Sequence, residues 1–145
     1  MNNYITIEDY DASIHREILD SLLRDDATND NAVIEICEDR AVAEMRSYLN
    51  KRYDCNAIFS ATGSERHPLI LMMAIDIAVY HIFCIHNPYK ISEIRKERYN
   101  RAIEWLKAVA AEDITIDGAP ELPEDEASAN SRWQIESNPQ RATHF

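Results

Sequence analysis

The stretch "HIFCIH" places His81, Cys84 and His86 within six residues, and Asp76 lies five residues upstream. Those residue types can ligate a metal or exchange protons, so their spacing decides the matter. Ligand pairs on a helix need a separation of three or four to share a face; the separation of five between His81 and His86 turns them about 140° apart. His81 and Cys84 do share a face, but no further ligands are legible, and the pair reads as packing or boundary residues. The three cysteines show no C-x-x-C or paired spacing, which argues against a zinc site or a disulfide framework and for a reducing compartment. No G-x-S-x-G, Walker or dinucleotide-binding pattern occurs, and two glycines in the whole chain leave little from which to build a phosphate-cradling loop. The expectation is a protein that is not an enzyme and holds no cofactor or metal.

Asp76 then needs another explanation, because it sits in "LILMMAIDIAVYHIF", residues 69–83. An ionised carboxylate alone in a core costs several kcal/mol or more. One reading pairs it with Arg52 at the end of the preceding helix, with Tyr53 and Tyr80 as hydroxyl alternatives. The other leaves it at solvent or a subunit boundary. The same stretch is poor as a membrane span: from Leu69 to Ile85 it reaches the bottom of the spanning range with an acid near its centre. It reads as a central helix, apolar all round because neighbours surround it.

The elements around it follow from periodicity. A short extended piece precedes an amphipathic helix near 11–24, on which Ile14, Ile18, Leu19, Leu22 and Leu23 recur at helical spacing. "ATNDN" breaks the pattern, with Thr28 and Asp30 as N-cap candidates. A second helix spans about 31–52 with the stripe Val33, Ile36, Cys37, Ala41, Met45, Tyr48 and Leu49, and a loop follows through "CNAIFSATGSER". Pro68 suits the first turn of the central helix, and Asn87-Pro88 stops it. Ser92 caps a last helix over roughly 91–111, with Ile94, Arg98, Ala102, Ile103, Leu106, Val109 and Ala110 inward. "EDITIDG" is extended at most. The fold expected is an all-α bundle of about four helices.

Charge and composition divide the chain. Residues 1–118 form the helical domain. Residues 119–145 begin with the acidic, proline-containing "APELPEDEASANS", expected to be a linker or an extended or disordered arm. The arm then regains apolar residues, so Trp133, Ile135, Pro139, Arg141 and Phe145 are candidate partner contacts. Net charge is −11, with acids concentrated in the first third, which disfavours direct DNA binding. The segment 90–101 is locally basic. Lys90, Arg95, Lys96, Arg98 and Arg101 are either a solvated helix face or a surface that pairs with the acidic third of an adjacent subunit. The N-terminus lacks the pattern of a secretory signal.

Three segments taken in order, "YLNKRYD" at 48–54, "HPLILMMAIDIAVYHIF" at 67–83 and "RKERYNRAIEWLKAVAAEDITIDG" at 95–118, resemble the Mu-like family of phage head–tail connector proteins, over roughly residues 4–118. "ESNPQR" near the end is similar to a Ser/Asn-Pro-x-Arg close in such proteins. One departure stands at "AAEDITI", where the family often has a glycine. The resemblance implies a helical adaptor or head-completion protein at the virion neck, made in the host cytoplasm. It would assemble with itself as a ring, commonly a dodecamer, below the portal protein. A stopper or tail-completion protein would be its other partner, with DNA only as cargo passing through the lumen and no membrane. A small regulatory or adaptor protein that binds a host partner through its C-terminal peptide is the alternative.

Overall fold

The computed structural model describes residues 4–13, 30–86, 89 and 91–123. Among them are five α-helices, which we number α1 (Ile7–Ser13), α2 (Asp30–Leu49), α3 (Cys55–Ser60), α4 (Pro68–His86) and α5 (Glu93–Ala110), plus one 3₁₀ turn at Gly63–Glu65. No strand occurs among the described residues, and a single antiparallel bridge joins Tyr53 to Glu121. The all-α expectation holds. The amphipathic stretch 14–24, Lys90 and the arm from 124 onward lie outside the described residues.

α4 is the centre. It packs along α2 and α5, which also meet each other, and α1 lies against it. Ile70, Ala74, Ile77, Ala78, Val79 and Ile82 are fully buried, as an apolar helix surrounded by neighbours should be. By length and composition α4 would also suffice to cross a membrane, yet over half of Pro68–Ile85 is buried inside the bundle. Ala41 of α2, Ala74 and Ala78 of α4 and Ala102 of α5 are all fully buried; small side chains at such points let helix axes approach. Around them Tyr4, Tyr10, Met45, Leu49, Tyr53 and Leu106 fill the core.

Local signals set the ends. α4 begins at Pro68 as the sequence predicts. Ser92 caps α5, its Oγ accepting from the Arg95 amide at 3.2 Å, which satisfies one of the helix's first unpaired N–H groups. Four details differ from expectation. Helix begins at Ile7 rather than near residue 11, because Thr6 and Asp9 form a reciprocal cap: the Thr6 amide donates to Asp9 Oδ2 at 2.7 Å and the Asp9 amide to Thr6 Oγ1 at 3.4 Å. α2 stops at Leu49, not 52, since the next residues turn to pair with the departing chain. There the Leu122 amide donates to the Arg52 carbonyl and the Asp54 amide to that of Pro120. The expected loop after residue 54 contains α3, capped by Asp54 through the Ala57 amide, and buries Cys55, Ile58 and Phe59. On α5, Ile94 is exposed, because Arg95 takes the inward position and reaches toward α4.

The exit from α5 explains the missing glycine. The Asp113 amide donates to the Ala108 carbonyl and the Glu112 amide to that of Val109, a pattern that requires a left-handed residue just past the helix. Glu112 supplies it at φ +64°, a conformation that costs a non-glycine residue about 1 kcal/mol. Ile116 then returns to the core, where its amide donates to the Tyr53 hydroxyl at 2.8 Å.

Candidate partner interface

Asp76 is buried at 4% exposure, on a helix with no basic residue among its nearest neighbours in sequence. Its partners come from α5. Arg101 donates to Oδ2 at 2.8 Å, and Arg95 stands 4.0 Å from Oδ1. Arg52, the partner expected from the sequence, is instead paired with Glu121 at 3.3 Å, both half-exposed, and lies over the Tyr53 ring. The correction has a simple cause. The end of α2 is occupied by the departing chain, whereas antiparallel packing of α5 on α4 brings two arginines alongside Asp76. Burial, and next the neighbouring Arg98, hold the Arg95 pKa below the usual guanidinium range, with Asp76 acting against both.

Beside this cluster, α4 borders a groove of about 510 Å³. Its described lining comprises Leu71, Met72 and Ile75 with Pro68 at one end, Asp9 on the α1 side and Asp76, Arg98 and Arg101 on the α5 side. Met72 is 43% exposed. Asp9 is itself clamped by Arg66, which bonds both carboxylate oxygens and the Tyr4 carbonyl. Burial pushes the Asp9 pKa up, but the bonds from Arg66 and Thr6 outweigh it and the net shift is downward. The described lining thus joins an apolar floor to a rim of two acids and two arginines.

The remaining sequence candidates separate clearly. His81 faces Glu44 at 3.6 Å, within reach of an ion pair when protonated. Glu44 also accepts from the Tyr99 hydroxyl at 3.0 Å, and Tyr99 stacks on Tyr80 with ring centroids 4.0 Å apart. No group of three metal-binding side chains forms among the described residues. All three cysteines are free, and burial raises the Cys37 thiol to about 11 and pushes Cys55 up as well. Of the basic segment, Arg95 and Arg101 turn to Asp76, Arg98 lines the groove, and Lys96 pairs at the surface with Glu93 at 3.5 Å. Lys90, Trp133, Ile135, Pro139, Arg141 and Phe145 fall outside the described residues.

A feature that sequence reasoning missed is Glu38, 5% exposed on α2 and accepting from the Tyr10 hydroxyl at 2.8 Å. Burial raises its pKa to about 7 against the pull of the Tyr10 bond, helped by Asp39, Glu35 and Asp9. No local pattern announces a bond across 28 residues.

The sequence pattern described as Bacteriophage Mu, Gp36 matches residues 4–135. The chain belongs to that family. It is a Mu-like phage protein, and the family pattern runs past the described body to include Trp133 and Ile135, ending before Pro139, Arg141 and Phe145. No curated protein and no solved structure matches it.

Proposed function

We propose that this Gp36-family protein is a structural head–tail connector of the virion neck rather than an enzyme. Copies would assemble head to tail into a ring below the portal, extend the DNA channel and offer a platform to a stopper or tail-completion protein. The observation that carries the reading is membership of a phage Mu family across residues 4–135. The geometry supports it in two ways. A bundle centred on one buried helix is a packed unit that can offer two different faces, and its groove carries arginines in a chain of net charge −11. In a head-to-tail ring each subunit uses two different faces. Arg98, Arg101 and Lys96 would meet acids of the next subunit's first third, such as Glu8, Glu35 and Asp39. The net charge of −11 suits a lumen that DNA passes without adhering, since like charges repel.

The test is direct. Purified protein is mixed with the portal complex of the same virion and imaged by electron microscopy. A collar of regularly repeated subunits below the portal is expected. Absence of binding to the portal at low and moderate salt sinks the proposal, and would favour a subunit that serves a host partner instead. Lys96→Glu with Arg98→Glu should abolish ring closure while leaving the helical fold intact, because neither side chain holds Asp76.

A further inference from the structure

Glu38 is buried on α2, and the described charges that bear on it are acids: Asp39 and Glu35 on its own helix and Asp9 on α1. Its described hydrogen-bond partner is a neutral phenol, the fully buried Tyr10, which donates to Oε1 at 2.8 Å. Cys37 beside it is a buried thiol, and the exposed Arg40 bears on that thiol. A carboxylate charge in such surroundings is costly unless water can reach it.

Tyr10 meets Glu38 from α1, a helix of seven residues whose main packing is against α4. Its bond is thus a tie from α1 across to α2. A second tie is Arg66, which bonds both Asp9 oxygens and the Tyr4 carbonyl. The two answer pH in opposite senses. Against burial, the bonds from Arg66 and Thr6 hold the Asp9 carboxyl below its ordinary range, so that clamp persists from mildly acid pH upward. Burial instead raises Glu38 from 4.5 to about 7. With α1 docked, Glu38 keeps a proton between those values that a hydrated Glu38 would release. Undocking therefore grows as pH climbs through that window and levels off above it.

We infer that α1 is a strap over Glu38 that loosens between mildly acid and neutral pH, lifting Tyr10 away while α2, α4 and α5 stay packed. Asp9 also lines the groove on α4, so the same motion opens that side of the groove. The strap involves contacts within one chain and does not rest on the connector reading: either can fail without the other.

Native-state amide hydrogen exchange on the full chain tests it, with each rate divided by its intrinsic rate at the same pH. Protection at residues 10–13 should fall roughly fiftyfold from pH 5 to pH 8. At every pH it should stay at least about tenfold below that of residues 74–79 in α4 and respond weakly to added urea, as local opening does. Glu38→Gln, which mimics the protonated acid, should abolish the fall. Arg66→Ala should lower protection of residues 10–13 by a similar factor at pH 5 and pH 8, leaving the fall in place. A fall that survives in Glu38→Gln overturns the inference, and so does one that disappears in Arg66→Ala, which would assign it to Asp9. Protection and urea response equal to those of 74–79 overturn it as well, because α1 would then open only with the whole bundle.

Discussion

Asp76 and Glu38 are buried to nearly the same depth, 4% and 5% exposed, on helices that pack against each other. Their partners differ in kind. Asp76 is met by the guanidiniums of Arg95 and Arg101, whereas Glu38 is met by the neutral phenol of Tyr10. Burial alone therefore does not decide what an acid in this bundle does. A cationic partner makes a fixed ionic tie between α4 and α5. A phenol satisfies one oxygen but leaves the cost of burying charge unanswered, so Glu38 holds its proton up to about pH 7.

The sharpest way to break this contrast is to remove Asp76. Asp76→Ala should destabilise the protein by about 3 kcal/mol, because it removes the acid facing the mostly buried Arg95, while the half-exposed Arg101 can turn to water. Urea unfolding reads this directly, and a change below about 0.5 kcal/mol would mean the tie is surface-like. The next largest effect is a pH dependence. Native Glu38 loses its proton near 7 rather than near the ordinary 4.5, so the folded state binds the extra proton between those values. Stability from this residue is full below about pH 4.5 and falls as pH rises through 7, by an amount on the order of 2 kcal/mol. Thermal melts from pH 5 to 8 should show that slope, and Glu38→Gln should flatten it. Tyr10→Phe sharpens the comparison further, since it removes a donor that favours the charged form. It should cost about 1 kcal/mol at neutral pH and move the titration of Glu38 upward, measurable by carboxyl carbon NMR. Smallest is Arg52→Ala: its pair with Glu121 is half-exposed, and a loss under about 0.5 kcal/mol is expected in the same urea experiment.

The legible parts of this fold were those written in local chemistry. Pro68 opened α4, Ser92 capped α5, and continuous apolarity from 69 to 83 marked the helix that neighbours enclose. The illegible parts depended on packing. The apolar run marks Asp76 as either paired, with Arg52 at the end of the preceding helix as the donor suggested by position, or facing a boundary. The actual partners became visible only once α5 lay antiparallel to α4. The same event turned Arg95 inward and Ile94 outward, reversing what hydrophobic periodicity predicts for that turn. α3 spans six residues, too few for a period to show, and its cap at Asp54 resembles any turn acid. Thr6 and Asp9 did carry a helix-start signal, masked by the alternation of "YITI". The groove could not be foreseen, because Met72 differs from its buried neighbour Met73 only in the direction it faces.

Two consecutive residues, Arg66 and His67, hold distant parts of the chain. Arg66 donates to the carbonyl of Tyr4, and His67 Nε2 to that of Asp117 at 2.6 Å. Tyr4 and Asp117 are thus held side by side, like two leads of a coil soldered to one terminal. Dyes attached near residues 4 and 117 would stay in efficient energy transfer while the subunit is folded and separate when it opens. The same proximity means that one short segment before α4 fastens both the approach to α1 and the turn after α5.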